Sequence, residues 1–444
     1  MFMKKQILAC FLVILTAFVP LLGGCGKESD QAKAVYLAVS GDAQKTLFEK
    51  AAKKYKDETG KTVKIKTFSE KTDGKIKVLD KNTKTVSIFA IENNSEFEKL
   101  KDYCEDITDS RINSYLSDRK LSLRSDDGKK TYAVPLEISG HGIVYNKDII
   151  DKYFKLQKSE GEITSIAQVR DFKSLKRLVE GLNAKKDELG INSVFASPSL
   201  KGEDAFDWHS GILNVPFYYE FSGNEDYDAA DRAFMNSKEI DFRYDKEYKD
   251  LLDLITANST DKASFASKSN EDALSEFSQN RAAMIIGDDG ILKDTKNKDG
   301  QRAGLLPLYL DISGNKNQGI TIKRKSYLAV NKKADKADKT AALEFLDWLV
   351  SSKQGKKILS EDMGTLTPFN TFEEGDLPDD PLKKETGRYM NDSSLENVLW
   401  VITEPIRDIT KGKTATALSE YMRGEKTFDQ TKETVKDGFK MENR

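Results

Sequence analysis

The pattern of apolar and polar positions predicts strands that alternate with helices. Residues 34–39 form a short apolar run that ends in the small and polar residues 40–42, and a helix with an apolar stripe over 47–55 follows. Gly60 stands where a C-terminal helix cap belongs, and residues 63–67 alternate like a half-buried strand. A strand, a helix and a strand with this spacing form a βαβ unit, which requires parallel strands. We therefore expect an α/β fold.

A second unit of the same kind is predicted late in the chain. Apolar residues 327–330 precede a helix with its apolar face over 342–349. Between the two units lie an aromatic-rich stretch, 195–221, and a charged helical region, 245–283. Within the aromatic-rich stretch, the polar residues of 204–209 predict a loop.

Length and charge narrow the range of functions. At 444 residues the chain exceeds the roughly 250 to 300 residues at which a single core stops growing, so we expect two compact lobes. Lys and Arg number 71 against 73 Asp and Glu, which is far from the concentrated positive charge that nucleic-acid binding requires. With 2 histidines and no spacing of metal ligands, we expect no metal, cofactor or nucleic-acid partner.

The N-terminus has the layout of an export signal. Lys4 and Lys5 precede an apolar stretch over 7–22, and small residues follow at Gly23 and Gly24. The stretch is shorter than the roughly 20 apolar residues of a membrane-spanning helix, and it ends in small residues. We expect residues 1–24 to be removed as a signal peptide.

The residues at the predicted cleavage site resemble the lipobox of bacterial lipoproteins. They read Leu-Gly-Gly-Cys over 22–25, and the resemblance implies that the Cys25 thiol receives a diacylglycerol and anchors the chain in the lipid bilayer. Residues 25–33 are then a lipidated tether, since they are small, polar and charged. The folded part is expected from Ala34.

Several segments carry a resemblance that extends over nearly the whole mature chain. They are Tyr-Ala-Val-Pro-Leu-Glu over 132–137, a Tyr-Asn-Lys-Asp turn within 142–148, an Ala-Ala-Met strand within 277–284, and the turns at 364–368 and 424–428. In this order they resemble the extracellular solute-binding proteins of family 1, the group that contains maltose- and oligosaccharide-binding proteins.

The resemblance implies a two-lobed periplasmic-binding-protein architecture of type II, with a hinge and a ligand cleft between the lobes. Lobe 1 is expected over 34–135 plus 311–366, and lobe 2 over 136–310 plus 367–444. It also implies a monomer at the extracellular face of the bacterial cell membrane. Such a protein binds a carbohydrate, delivers it to the permease subunits of an ABC importer and catalyses no reaction.

Two tryptophans are candidates for the flat surface on which a sugar ring can stack. Trp208 stands where relatives carry a cleft aromatic, and Trp400 stands where the family often presents a Trp from the second lobe. His209, beside Trp208, joins the candidate ligand residues. The alternative for both tryptophans is core packing, for Trp400 on a helix, and for His209 it is a structural hydrogen bond.

Polar candidates follow two predicted strands of the first lobe. Glu92, Asn93 and Asn94 come after the apolar run 86–90, and Asp42 comes after the first strand. Ligands of open α/β sheets bind at the carboxyl ends of strands, so we expect these side chains at the cleft.

Glu137 lies where the chain crosses between the lobes and resembles a family position that hydrogen-bonds sugar hydroxyls. Asp288 and Asp289 follow the strand over 284–287, where many relatives carry a tryptophan. The loss of that aromatic surface argues against a maltodextrin that lies flat, and paired carboxylates suit a diol or an amine. The alternatives are a hinge carboxylate bonded to backbone for Glu137 and a turn without ligand contact for the two aspartates.

Other functions stay open. The chain could bind a non-sugar polar or cationic solute. A glycoside hydrolase is a second alternative, because 73 acidic residues make a pair of carboxylates at a suitable distance inevitable. A surface adhesin without a small-molecule site is a third.

Overall fold

The computed structural model describes residues 34–68, 71–81, 86–157, 162–222, 230–293, 302–312, 317–402 and 404–440. The predicted signal peptide, Cys25 and the tether lie outside the described residues. Within these ranges, no helix has the length and apolar character needed to cross a membrane.

Strands and helices alternate along the described residues, as predicted. The strands are β1 (Val35–Ser40), β2 (Val63–Phe68), β3 (Ile88–Ile91), β4 (Leu123–Arg124), β5 (Thr131–Asn146), β6 (Ser193–Phe195), β7 (Ala282–Asp288), β8 (Ala303–Leu306), β9 (Gln318–Val330) and β10 (Glu396–Leu399). The first eight helices are α1 (Asp42–Thr59), α2 (Thr72–Lys81), α3 (Asn94–Leu100), α4 (Arg111–Ser114), α5 (Lys147–Leu156), α6 (Phe172–Ala184), α7 (Lys186–Leu189) and α8 (Asp204–Phe221). The later helices are α9 (Ala230–Asn236), α10 (Asp245–Ala257), α11 (Asn270–Ser278), α12 (Lys336–Ser351), α13 (Lys353–Lys357), α14 (Pro381–Asn391), α15 (Glu404–Arg423) and α16 (Phe428–Phe439).

The first βαβ unit is confirmed. β1 and β2 pair in parallel with Val35 opposite Val63, and α1 connects them. Gly60 caps α1 with a φ of 74°, a left-handed conformation that glycine adopts without steric cost, and its N–H donates to the Lys56 carbonyl at 2.8 Å. Local sequence signals therefore define this unit completely.

The first lobe is a sheet covered on both faces by helices. β1 lies between β2 and β3 and is parallel to both, and β3 is antiparallel to β9. On one face, Leu37 belongs to a cluster with Tyr55 of α1 and Phe345 of α12. On the other face, Ala38 belongs to a cluster with Phe97 of α3. Burial on both faces explains why these strands are apolar runs without strict alternation.

The second lobe surrounds a single large apolar cluster. β5 pairs antiparallel with β7 and β8, β6 runs parallel to β7, and β10 runs parallel to β9. The helices contribute Leu175 of α6, Phe217 of α8, Leu251 of α10, Leu418 of α15 and Val435 of α16. Each lobe therefore has its own core.

The strands β5 and β9 connect the two lobes. They pair antiparallel from Ala133 opposite Ala329 to His141 opposite Thr321. Along β5, Leu136 still packs in a first-lobe cluster while Ile138 already packs in the second-lobe cluster. The two strands cross side by side from one core to the other, which is the architecture of two lobes on a hinge.

Two features of the chain differ from the sequence-based expectation. Residues 204–209 are the start of α8 and not a loop; α8 is buried nearly all round and therefore lacks the polar stripe by which a helix is recognised. The boundary at residue 311 lies too early for the packing, because Ile320 and Ile322 still contact the second-lobe cluster and Tyr327 is the first to join the other lobe.

Candidate functional site

Trp208 is held near the hinge by the packing of α8 against β5. At Gly211, one helical turn after Trp208, an added Cβ would stand 2.4 Å from the His141 Cε1 atom, so only glycine allows this approach. His209 points to α15, where its Nε2 lies 3.1 Å from the Ser419 Oγ. Trp208 as a residue is 8% exposed, which places most of its surface against protein.

Asp288 and Asp289 end β7 in different environments. Asp288 pairs with His141 of β5 and is partly exposed, and its Oδ1 accepts a hydrogen bond from the Gly290 N–H at 3.2 Å. Asp289 is buried, so this pair of neighbouring carboxylates does not act as one unit.

Asp289 has protein partners for both carboxylate oxygens. Its Oδ1 accepts from the Ser139 hydroxyl at 3.0 Å, and its Oδ2 accepts from the Gly140 N–H at 2.8 Å and from the Thr386 hydroxyl at 2.9 Å. Burial raises the pKa of this carboxyl, and the hydrogen bonds oppose the shift. Asp289 therefore links β5 to α14, and we do not include it among the proposed ligand contacts.

Trp400 follows β10, a strand and not the helix that was the alternative prediction. Its backbone N–H donates to the Ile322 carbonyl at 2.9 Å, and its indole Nε1 donates to the Ile402 carbonyl at 2.8 Å. The ammonium of Lys323 lies 4.1 Å from the centroid of the Trp400 ring, and the His141 ring contacts it edge-on with 5.8 Å between centroids. Lys323 therefore occupies one face of the indole.

A cavity of about 310 Å³ lies at the junction of the second lobe and the crossing strands. Its walls combine the apolar side chains of β7, α10 and α11 with Trp208 and a set of polar groups. The polar groups are His141, Ser197, Ser199, Asp207, Asn270, Glu271, Asp288 and Lys323. This is the kind of site that binds small polar ligands, a mostly apolar concavity with a few converging polar side chains.

The sequence analysis missed Lys323, His141 and Asp207 as cavity residues. Lys323 belongs to a cationic run over 323–325 that is typical of an exposed strand. His141 lies opposite Asp288 in the register of β5 and β7, and that register is a long-range property of the sheet. Only the pairing of the strands identifies Lys323 and His141, and Asp207 depends on α8, where the sequence predicted a loop.

Both histidines are neutral in the folded protein. Burial lowers the pKa of His141 well below its usual value, with the nearby charge of Lys323 acting in the same direction, and burial lowers the pKa of His209 to about 3. His209 does not line the cavity, and its hydrogen bond to Ser419 gives it a role in packing. His209 is therefore not part of the proposed site.

The first-lobe candidates lie outside the lining of this cavity. Asp42 is exposed at the start of α1, and Glu92 is also exposed, with its Oε1 4.0 Å from the Lys75 ammonium. Asn93 caps α3 by accepting from the Glu96 N–H at 2.9 Å, and Asn94 donates to Asp231. Asn93 and Asn94 therefore already have protein partners.

Glu137 is half-buried on β5 and stands opposite Lys325 of β9. Its place on a crossing strand keeps it close to both lobes. Among the described residues, no cluster of three or more His, Cys, Asp or Glu side chains could hold a metal ion.

Two larger cavities are less suited to a ligand that both lobes enclose. One of about 750 Å³ is lined only from the second lobe and the end of β9 next to it, among them Tyr145, Tyr309 and Arg388, so lobe movement cannot close it. One of about 570 Å³ is lined by residues before and after the crossing strands, among them Asp118 and Asn397, but its one aromatic side chain, Tyr218, is fully buried. Neither offers an accessible aromatic surface between the lobes.

Two α/β lobes, two crossing strands and a cavity at their junction define the class of two-lobed proteins that enclose a solute. Residues 50–385 match the family described as bacterial extracellular solute-binding protein. Since the match extends over well more than half of the chain, the protein belongs to this family. No curated protein matches the chain in sequence.

Solved structures agree with the fold over almost the whole chain. A family 1 extracellular solute-binding protein from Bifidobacterium longum subsp. infantis superposes with a TM-score of 0.65 at 16% identity, covering 92% of this chain and 99% of that one. A probable secreted solute-binding lipoprotein from Streptomyces coelicolor gives 0.66 at 14% identity and 93% and 100% coverage. The cyclic alpha-maltosyl-1,6-maltose binding protein from Arthrobacter globiformis gives 0.60 at 13% identity and 92% and 98% coverage. The predicted architecture is confirmed.

Proposed function

We propose that the protein binds a carbohydrate in the cavity beside Trp208 and delivers it to the membrane permease of an ABC importer. The observation that carries the proposal is that Trp208 and Asp288 line the same cavity. An indole offers the apolar face on which sugar C–H groups pack, and a carboxylate accepts hydrogen bonds from hydroxyls. The Arthrobacter protein of the same fold is named for a cyclic oligosaccharide, which supports a sugar over another solute.

Closure of the lobes completes the proposed site. The cavity is lined by residues of the second lobe and the crossing strands. Rotation about β5 and β9 brings the first lobe toward it. Asp42 and Glu92 have side chains that are not consumed by hydrogen bonds among the described residues, and Glu137 lies on the hinge. A ligand that contacts both lobes favours the closed state by the difference in its affinity for the two states.

The proposal includes the location of the protein. Acylation at Cys25 anchors the monomeric protein at the extracellular face of the membrane, and the tether up to residue 33 lets it reach the permease. Binding and release suffice for this function, so we expect no chemical change of the sugar. Incubation with labelled oligosaccharides is expected to give no shorter product; a shorter product would favour the hydrolase.

Thermal unfolding with a panel of mono- and oligosaccharides tests the proposal. A ligand that binds only the folded protein stabilises it by RT ln(1 + [L]/Kd), about 2.7 kcal/mol at one hundred times Kd. The variant Trp208→Leu is expected to lose most of this stabilisation. Because Trp208 is in the core, Leu is a better replacement than Ala.

Trp348→Leu is the matched control for this substitution. Trp348 is 9% exposed against 8% for Trp208, and it lies in the first lobe with its Nε1 bonded to Glu58 at 2.7 Å. Both variants should melt earlier without ligand, but only Trp208→Leu should lose the ligand response. Equal ligand-induced stabilisation of both variants would contradict the proposed site. If no sugar stabilises the native protein, the remaining functions are a surface adhesin and a binding protein for another polar solute.

A further inference from the structure

The ammonium group of Lys323 has N–H donors that are not used in hydrogen bonds among the described residues. Its Nζ lies 3.9 Å from the Asp288 Oδ2, which is beyond the range of an N–H···O hydrogen bond. Among the described residues the ammonium makes no hydrogen bond, although its side chain is only 23% exposed. Three N–H donors thus face a cavity from which water is partly excluded.

Asp288 faces the same space with an open acceptor. Its Oδ1 receives the Gly290 N–H, while no N–H or O–H of the described residues bonds to its Oδ2. The side chain is 35% exposed at the end of β7. A donor and an acceptor therefore stand side by side, each with room for a ligand atom.

The surrounding structure fixes the position of Lys323. Its ammonium lies over the Trp400 ring, which binds cations through its electron-rich face. The indole is in turn held by its hydrogen bond to Ile402, and the backbone of Trp400 is bonded to β9. A side chain that is already in place loses little conformational entropy when a ligand binds.

We propose that Lys323 and Asp288 together recognise two adjacent hydroxyl groups of a neutral sugar, and that Trp400 positions Lys323 and does not stack on the ligand. Lys323 donates to one hydroxyl oxygen, and Asp288 accepts from the other hydroxyl. This inference rests on the proposed sugar-binding function and narrows it to uncharged ligands with a vicinal diol.

The charges of the pair explain the preference for a neutral ligand. Two further acids, Asp207 and Glu271, line the cavity. A ligand carboxylate would meet these and Asp288, and a ligand amine within hydrogen-bonding distance of both members of the pair would meet the Lys323 ammonium. Each would leave a like charge close by in a poorly hydrated space, which is costly. Burial lowers the pKa of Lys323 and Asp288 opposes that shift, which agrees with poor hydration around the ammonium. A diol satisfies both groups without adding charge.

The first measurement compares ligands on the native protein. Glucose, galactose and mannose, free and in disaccharides, are compared with glucosamine, galactosamine and the corresponding uronic acids by calorimetry. For the neutral sugar that binds best, monodeoxy analogues lacking one of the two hydroxyls should bind about tenfold more weakly or worse. Tighter binding of an amino sugar or a uronic acid than of its neutral parent would overturn the inference.

The second measurement uses variants with that same neutral sugar. Lys323→Met keeps most of the side-chain volume and is expected to raise the Kd about tenfold or more. Lys357→Met, an exposed first-lobe lysine, is the control and should leave the Kd unchanged. Trp400→Phe keeps a ring face under the ammonium and should retain affinity, whereas Trp400→Leu should reproduce the loss seen in Lys323→Met.

Failures of the two proposals can be told apart. If no neutral sugar binds the native protein, the sugar-binding function and this inference both fail. If a neutral sugar binds and Lys323→Met binds it equally well, only the inference fails. Should Lys323→Met not fold by circular dichroism, Asp288→Asn replaces it, and an unchanged Kd in that variant overturns the inference.

Discussion

Lys323 and Arg324 are neighbours on β9 that face opposite sides of the hinge. They differ in the hydrogen bonds and ion pairs that their charged groups make. Lys323 has one ion pair at 3.9 Å and lines a cavity. Arg324 pairs with Asp231 at 2.6 Å, with side chains only 5% and 9% exposed, and donates to the Lys120 carbonyl at 3.2 Å. The two adjacent cations thus differ: Arg324 has a close ion pair and a backbone hydrogen bond at the hinge, and Lys323 is only loosely paired.

The contacts around Arg324 also join the two lobes. Asp231 of α9, in the second lobe, accepts hydrogen bonds from Arg324 and from Asn94 in the first lobe. Its neighbour Arg232 donates to the carbonyls of Arg124 and Ser125, also in the first lobe. We call these residues the Asp231 cluster. Any rotation of the lobes must keep, move or break these bonds.

The largest effect is expected for Asp231→Ala. Removing one partner of a buried ion pair leaves the Arg324 charge uncompensated, which costs about 3–5 kcal/mol of unfolding free energy. Asp288→Ala, on the cavity side, should cost less than about 1 kcal/mol because that pair is loose and partly exposed. Urea unfolding measures both. Similar losses in the two variants would mean that the two sides of β9 do not differ as described.

The next effect is a dependence of stability on pH. Burial raises the pKa of Asp231, but the charge and hydrogen bonds of Arg324 and the bond from Asn94 outweigh it, so the folded-state pKa is lowered. The resulting stability is present above the unfolded-state pKa, about 3.9, and is lost as the pH falls through the lower folded value. Unfolding of Asp231→Asn should therefore depend less on pH in this acid range.

Asp57→Asn is the control for that measurement, since Asp57 is exposed in α1 and its ion pair to Lys53 spans 3.6 Å. It should keep the acid dependence of the native protein. If it flattens the curve as much as Asp231→Asn does, the acid sensitivity does not come from the Asp231 cluster.

The smallest effect is expected for Asn94→Ala. This change removes the first-lobe hydrogen bond to Asp231 but leaves the Arg324 ion pair, so the loss should be about 1 kcal/mol. Asn391→Ala, at the exposed end of α14, is the control. A loss as large as that of Asp231→Ala would show that the contact between the lobes, and not the ion pair, carries the stability of the cluster.

The sequence predicted the features that depend on local interactions. It missed those that depend on contacts between residues far apart in the chain. The unit β1, α1 and β2 was predictable because its apolar spacing and the cap at Gly60 are local. The start of α8 was not, because a helix buried on all sides shows no polar stripe. The sequence placed Asp288 and Asp289 at a strand end, but the burial of Asp289 depends on Ser139 and Thr386, 150 and 97 residues away.

The candidate site was likewise predictable only where its residues are identified by local sequence. Trp208 was placed at the cavity from its sequence context, and its ligand contact stays a prediction. The sequence also presented Trp400 as a possible surface for a sugar ring, while the structure places Lys323 over one face of it. That contact depends on the pairing of β9 with β10, 77 residues apart in the case of Thr321 and Val398, and no local pattern encodes it.

Gly211 allows the His141 ring of β5 to pack directly against the backbone of α8. The His141 ring fills the place where a methyl group would be, and the same ring lines the cavity beside Trp208. A methyl group there would require either α8 with Trp208 or the His141 ring to shift. A substitution at Gly211 is therefore expected to change the size of the cavity through Trp208 or His141, although Gly211 itself is not among the lining residues.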